Sequence, residues 1–250
     1  MKPFPALRRC LSLRLLALLL VSGSVHLAQA QIGERRSQLS IGGSGGLAFS
    51  SVDFDPTIKQ GQLSAPMMGF VMRYTCEKYF TTVCALQAEV NYVGLGWKED
   101  ILSSRSLPLE DTFERTLGYV QVPLLARLGW GRETRGLQFF IVAGPQFGYL
   151  LKDDAKRGAV WTLNDEGHPD RPNNVYQQYE MEPDRKFDYG LTGGLGLELS
   201  TAIGHFMLEG RYYYGLNDVY NNSKKDVFAR SAHRSMMVKL SYLVDIIRTK

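Results

Sequence analysis

From residue 39 to residue 244, apolar and polar side chains alternate with a period of two in one stretch after another. Successive side chains of a strand point to opposite faces, so this period predicts strands. The stretch FDYGLTGGLGLEL (Phe187 to Leu199) shows it most clearly. Phe187, Tyr189, Leu191, Gly193, Leu195, Leu197 and Leu199 form one face, and Asp188, Gly190, Thr192, Gly194, Gly196 and Glu198 form the other. Seven further stretches repeat the alternation: Leu39–Ser50, Pro66–Tyr74, Thr82–Lys98, Leu117–Trp130, Gln138–Leu151, His205–Asn217 and Ser235–Val244. No helical period is found past residue 30. The pattern predicts an all-β fold of eight strands.

Whether the greasy face looks inward, as in a soluble barrel, or outward to lipid is settled by the connections. Those after the second, fourth and sixth strands are short, near Cys76–Phe80, Gly131–Gly136 and Thr201–Gly204. The others are long and polar, the longest running from Lys152 to Arg185. Short turns on one side and long loops on the other are the habit of outer-membrane barrels. Several strands also reach the ~9–11 residues that cross a bilayer at a tilt. On the greasy face, Trp130, Phe139, Phe206 and Tyr242 fall near the short-turn end. Phe49, Tyr92, Tyr149, Phe187, Tyr189, Tyr212 and Tyr214 fall nearer the long-loop end. Two aromatic girdles around an aliphatic band suit the two lipid interfaces. The leucines of the strand Phe187–Leu199 are therefore read as facing lipid, in an eight-stranded antiparallel up-and-down transmembrane β-barrel.

The first 30 residues change the charge picture. Lys2, Arg8, Arg9 and Arg14 precede or enter the apolar run LRLLALLLV, and Ala28-Gln29-Ala30 offers small residues for cleavage, so 1–30 read as an export signal and 31–250 as the barrel domain. Cys10 lies upstream of the apolar run and is no lipid-attachment site. The formal charge of +4 equals the four cations of this leader, which has no acid, so the remainder is neutral and gives no argument for nucleic acid. The expected location is the outer membrane of a Gram-negative bacterium, with lipid around the barrel and other envelope proteins as partners for the loops.

The blocks GYVQVPLLARLGW (118–130), FIVAGPQFGYLL (140–151), DYGLTGGLGLEL (188–199) and FMLEGRYYYGLNDV (206–219), with QAEVNYVGLGWK (87–98), resemble the PorT-like, "porin family" outer-membrane β-barrel domain of Bacteroidetes. The resemblance runs over the whole chain past the leader. It implies an eight-stranded barrel in the outer membrane and, through the namesake of the family, a link to secretion. One departure is the end IIRTK, where many outer-membrane proteins close on an aromatic.

An eight-stranded lumen can be filled by side chains, so a wide solute channel is not expected. The inward positions include Arg73, Glu89, Arg127, Glu198, Glu209, Arg211 and Lys239. Buried charges must be paired, so they are read as a salt-bridge plug. The competing reading is a charged binding or conduction path. Glu209 is expected opposite Gly196 and Arg211 opposite Gly194. Pro123 and Pro145 fall level on neighbouring strands, where a bulge is expected. Cys76 and Cys84 flank a turn centred on Phe80. That register sets them opposite each other and predicts a disulfide, in a compartment where thiols oxidise.

Candidates for chemistry are few. GSGGLA (43–48) fits a dinucleotide pattern, but no helix follows it. His168, His205 and His233 are scattered. Asn164, Asp165, Glu166 and Asp170 lack calcium-loop spacing. No catalytic, cofactor or metal residues are assigned. The chain reads as a non-enzymatic barrel whose long outer loops bind a partner or ligand. The alternatives are an outer-membrane protease or lipid acyltransferase, a small-solute porin, or a soluble lipocalin-like carrier.

Overall fold

The computed structural model describes residues 34–133, 135–172, 175–223 and 225–247. The leader with Cys10 and the site near Ala30, and the terminal Arg248–Lys250, lie outside the described residues. Nine strands follow in order: β1 (Glu34–Asp55), β2 (Gln60–Gly61), β3 (Leu63–Tyr79), β4 (Thr82–Leu102), β5 (Pro108–Gly131), β6 (Gly136–Arg157), β7 (Phe187–Ser200), β8 (His205–Asp218) and β9 (Arg230–Ile247). All pairings between them are antiparallel. β4 pairs with β5 and β1 with β9, so eight strands close into a ring, and the two-residue β2 only flanks β4. Closure leaves no unpaired edge, which is what lets strands cross a hydrocarbon layer.

Parity places the side chains as expected. Along β7, Leu191, Leu195, Leu197 and Leu199 are exposed on the outer surface, while Asp188, Thr192 and Glu198 are buried within. Girdle residues meet across strands on the outside: Trp130 stacks on Phe139 at 6.1 Å, and Phe206 contacts Tyr242 at 4.9 Å. At the long-loop end Phe147 lies 6.3 Å from Phe187.

Three expectations are corrected. First, most strands are longer than the alternation implied. β5 has 24 residues and runs about 80 Å at ~3.3 Å per residue, far beyond an apolar band ~25 Å tall. β4, β5 and β6 continue past the girdle into the space outside. Second, Pro123 and Pro145 cause no bulge. Pro123 pairs with Gln146 and Ala126 with Ala143 in one unbroken register, with only a gap in the ladder between them. A missing N–H removes a rung without adding a residue, and Gly144, where a Cβ would collide with the Leu124 carbonyl, lets the strands stay close. Third, Cys76 and Cys84 are not opposite each other, and both thiols are free. Arg73 does face Gln87 and Val71 faces Glu89, but the register shifts between Thr75 and Glu77, so that Glu77 faces Cys84. The turn is two residues, Phe80 and Thr81, between the paired Tyr79 and Thr82, and Phe80 takes a positive φ of 52°, as tight hairpins require. The resulting one-residue mismatch is absorbed as a bulge at Cys76.

Candidate functional site

The lumen is filled in three layers. At the short-turn end, Glu198 from β7 accepts from Arg73 Nη1 of β3 at 2.5 Å and from Arg127 Nη2 of β5. Arg127 also lies over the Phe140 ring, 4.0 Å from its centroid. His205 Nδ1 sits 2.7 Å from Glu198 Oε1, and its Nε2 sits 3.1 Å from Asp245 Oδ1. Halfway up, Arg211 of β8 grips both oxygens of Glu89 from β4, at 2.6 and 2.9 Å, and its Nε meets Glu209 at 2.5 Å. Lys239 of β9 adds 2.5 Å to Glu89 and 3.5 Å to Glu209. Gln87 and Asn91 complete the shell of Glu89. The structure thus brings together all seven charges that the inward parity picks out, as two groups: Arg73 and Arg127 on Glu198, and Arg211 and Lys239 on Glu89 and Glu209, where cations and carboxylates balance.

Glycines make the room. Gly194 faces Arg211, and a Cβ at Gly194 would lie 2.7 Å from Arg211 Cγ. Gly196 faces Glu209, but the space it leaves is taken by the Phe140 ring, 2.5 Å from where a Cβ would be. The inward polar groups left out of that set of seven are His205, Asp245 and Asp188, the last already on the polar face of the alternation in β7. All sit at inward parity, which was the available signal. Asp188 is held by the Tyr213 hydroxyl at 2.7 Å.

Ser200, His205 and Asp245 line up as a Ser–His–Asp set, with Ser200 Oγ 3.0 Å from His205 Nδ1. A general base needs one nitrogen free to take the serine proton. Here Nδ1 is already engaged by Glu198 and Nε2 by Asp245, so neither nitrogen is free to take the Ser200 proton. Among the described residues no three His, Cys, Asp or Glu side chains converge as metal ligands. Asn164 Oδ1 accepts from the amides of Glu166 and His168, and Asp170 accepts from the Ser104 amide.

The third layer lies outside the bilayer and was not foreseen. Phe54, Trp97, Phe113, Tyr179, Tyr220 and Phe228 are all buried in one apolar cluster. Trp97 meets Phe54 edge-on at 5.1 Å, and Tyr179 meets Phe113 at 4.8 Å. Tyr179 comes from the loop after β6, where a 3-10 turn (Gln177–Tyr179) is tucked into the mouth. Arg115 fastens that loop by donating to the carbonyls of Gln178 and Met181 while pairing with Asp153. A bulge in β6 beside Gly118 and Tyr119 accompanies the turn of Asp153 toward Arg115. Arg171 pairs with the buried Asp111 at 2.8 Å. Glu99, well above the girdle, accepts from Tyr179 Oη at 2.7 Å and from Trp97 Nε1 at 3.1 Å. Burial pushes the Glu99 carboxyl above its ordinary range, although these hydrogen bonds pull it back in part. Burial likewise pushes the Tyr179 phenol up.

A family model described as outer membrane protein beta-barrel domain matches residues 29–221. No curated protein matches the chain. Among solved structures, Neisserial surface protein A shares 12% identity over 82% of this chain and 96% of its own, with a TM-score of 0.41. Ail, the attachment invasion locus protein of Yersinia pestis, solved in complex with the heparin analogue sucrose octasulfate, shares 13% over 84% and 99%, with a TM-score of 0.35. The N-terminal β-barrel domain of Pseudomonas aeruginosa OprF shares 12% over 85% and 100%, with a TM-score of 0.37.

Proposed function

The chain belongs to the outer membrane protein β-barrel domain family, and from that premise we propose that it is a non-enzymatic surface protein whose sealed barrel is an anchor for a binding surface built by the outer loops. The observation that carries this reading is the double closure of the lumen. Two buried charge layers fill the membrane section, and an aromatic cluster fills the mouth. A conduit would need neither. A loop held by Arg115 and Arg171 is ordered before any partner arrives, and a preordered surface loses less freedom on binding. Within the family we place the chain in the PorT-like branch, exported by the leader ending near Ala30, with envelope proteins as its partners.

The test is photo-crosslinking in intact cells from a probe at Val160, exposed on the long loop, with a probe at Phe80 on the short-turn side as the control. Adducts with an envelope protein from position 160 are expected. Adducts from position 80 alone would overturn the reading.

A further inference from the structure

Between the segment after β1 and the end of β4, the cap leaves a cleft with Thr57 and Lys59 at the rim, Ile58 and Ile101 as apolar walls, and Glu99 and Gln178 at the floor. Two floor groups lack what they need. Gln178 is 1% exposed. Its Nε2 lies 3.4 Å from Glu99 Oε1, which fixes the amide orientation, since a carboxylate only accepts. That leaves Gln178 Oε1 buried with no hydrogen-bond partner. Glu99, 5% exposed, receives the neutral donors Tyr179, Trp97 and Gln178, while the nearby Arg171 guanidinium is committed to Asp111. The floor is therefore a carboxylate without a bonded cation beside an acceptor without a donor.

A group that answers both carries positive charge and several N–H donors at the end of a narrow apolar stem. We propose that the cleft binds an alkylammonium group, such as the end of a lysine side chain. A hard divalent cation fits less well, because it seeks six or more oxygens, whereas the lining here mixes Glu99, Asp100 and Gln178 with aliphatic side chains and the cations Lys59 and Arg171. The inference rests on the reading that the outer loops carry the binding function, and it names the chemistry of one site among them.

The chain holds three tryptophans, which makes the indole N–H resonances of the nanodisc-embedded protein a direct readout. Trp97 donates to Glu99, whereas Trp130 donates to Thr82 at the opposite rim. Titration with Nα-acetyl-lysine methylamide, or with n-pentylamine as the free-amine arm, should shift the Trp97 resonance saturably and leave Trp130 still. The Nζ-acetylated mimic, pentanol and Ca²⁺ should do nothing. Glu99→Gln should weaken binding by about tenfold or more. Thr57→Phe, at an exposed rim position that leaves the fold alone, should do the same by filling the mouth. A response to n-pentylamine without one to the lysine mimic would assign the site to a free amine. No Trp97 shift with either amine, an equal shift with pentanol or Ca²⁺, or unimpaired binding by Thr57→Phe overturns the proposal. If the wild type gives the Val160 adduct but no Trp97 shift with either amine, the cleft falls and the surface reading stands. Loss of all Val160 adducts from a wild type that still shows the Trp97 response gives the reverse.

Discussion

At Glu89 a single carboxylate holds Arg211 through two nitrogens and Lys239 through a third. Removing one member of a buried ion pair leaves the others uncompensated in a medium that solvates them poorly, which costs about 3–5 kcal/mol. Glu89→Gln should therefore destabilise the barrel by that amount in urea unfolding from bilayers, with a loss under ~1 kcal/mol contradicting the network. Glu99 makes a second residue-scale prediction. Its carboxyl is raised in the fold, chiefly by burial, so its contribution to stability is present below the ordinary carboxyl range near pH 4.3 and is lost as pH rises through the folded value. Glu99→Gln should gain relative to wild type as pH rises, read from amide exchange of residues 175–181 corrected for intrinsic rate. A difference that does not change with pH would count against it. At this scale the sequence was most legible. Parity alone selected Arg73, Glu89, Arg127, Glu198, Glu209, Arg211 and Lys239. That set left out Asp188, His205 and Asp245 because two of them stand at strand ends, where a terminal residue looks like part of a turn.

For the strands the test is which face meets lipid. Leu195 is 59% exposed on the outer surface of β7, and Leu195→Arg should cost ~2–4 kcal/mol near mid-bilayer. Folding into bilayers as well as wild type would mean that the face is assigned wrongly. The β3–β4 hairpin gives a contrasting prediction. With Cys76 in a bulge and both thiols free, the Cys76→Ser, Cys84→Ser double variant should change stability by no more than ~0.5 kcal/mol, and alkylation without reductant should label both. A linked peptide pair in unreduced protein would show that the hairpin takes the other register. That misjudged pair shows what parity cannot see. It reports a face, and adding one residue at a bulge resets it without a mark in the composition. The same blindness hid the upper ends of β4, β5 and β6. Trp97 and Phe113 are apolar and inward there, inverting the rule that holds lower down, because outside the bilayer the wall faces water and the greasy side chains turn to the core.

For the whole molecule, the eight-stranded ring could be read from alternation and loop lengths, since both follow from one constraint, a closed sheet in lipid. The cap could not, because it depends on a long loop folding back so that Tyr179 meets Phe113 and Glu99, contacts far apart in sequence. Charge layers and cap together make the central claim, which is that this barrel spans the outer membrane without opening a path through it. Single-channel recording from purified protein in planar bilayers tests it most directly. A lumen filled by Arg73, Arg127 and Glu198 below and by Glu89, Glu209, Arg211 and Lys239 above should pass no resolvable steps. Large, stable, porin-sized steps would contradict it.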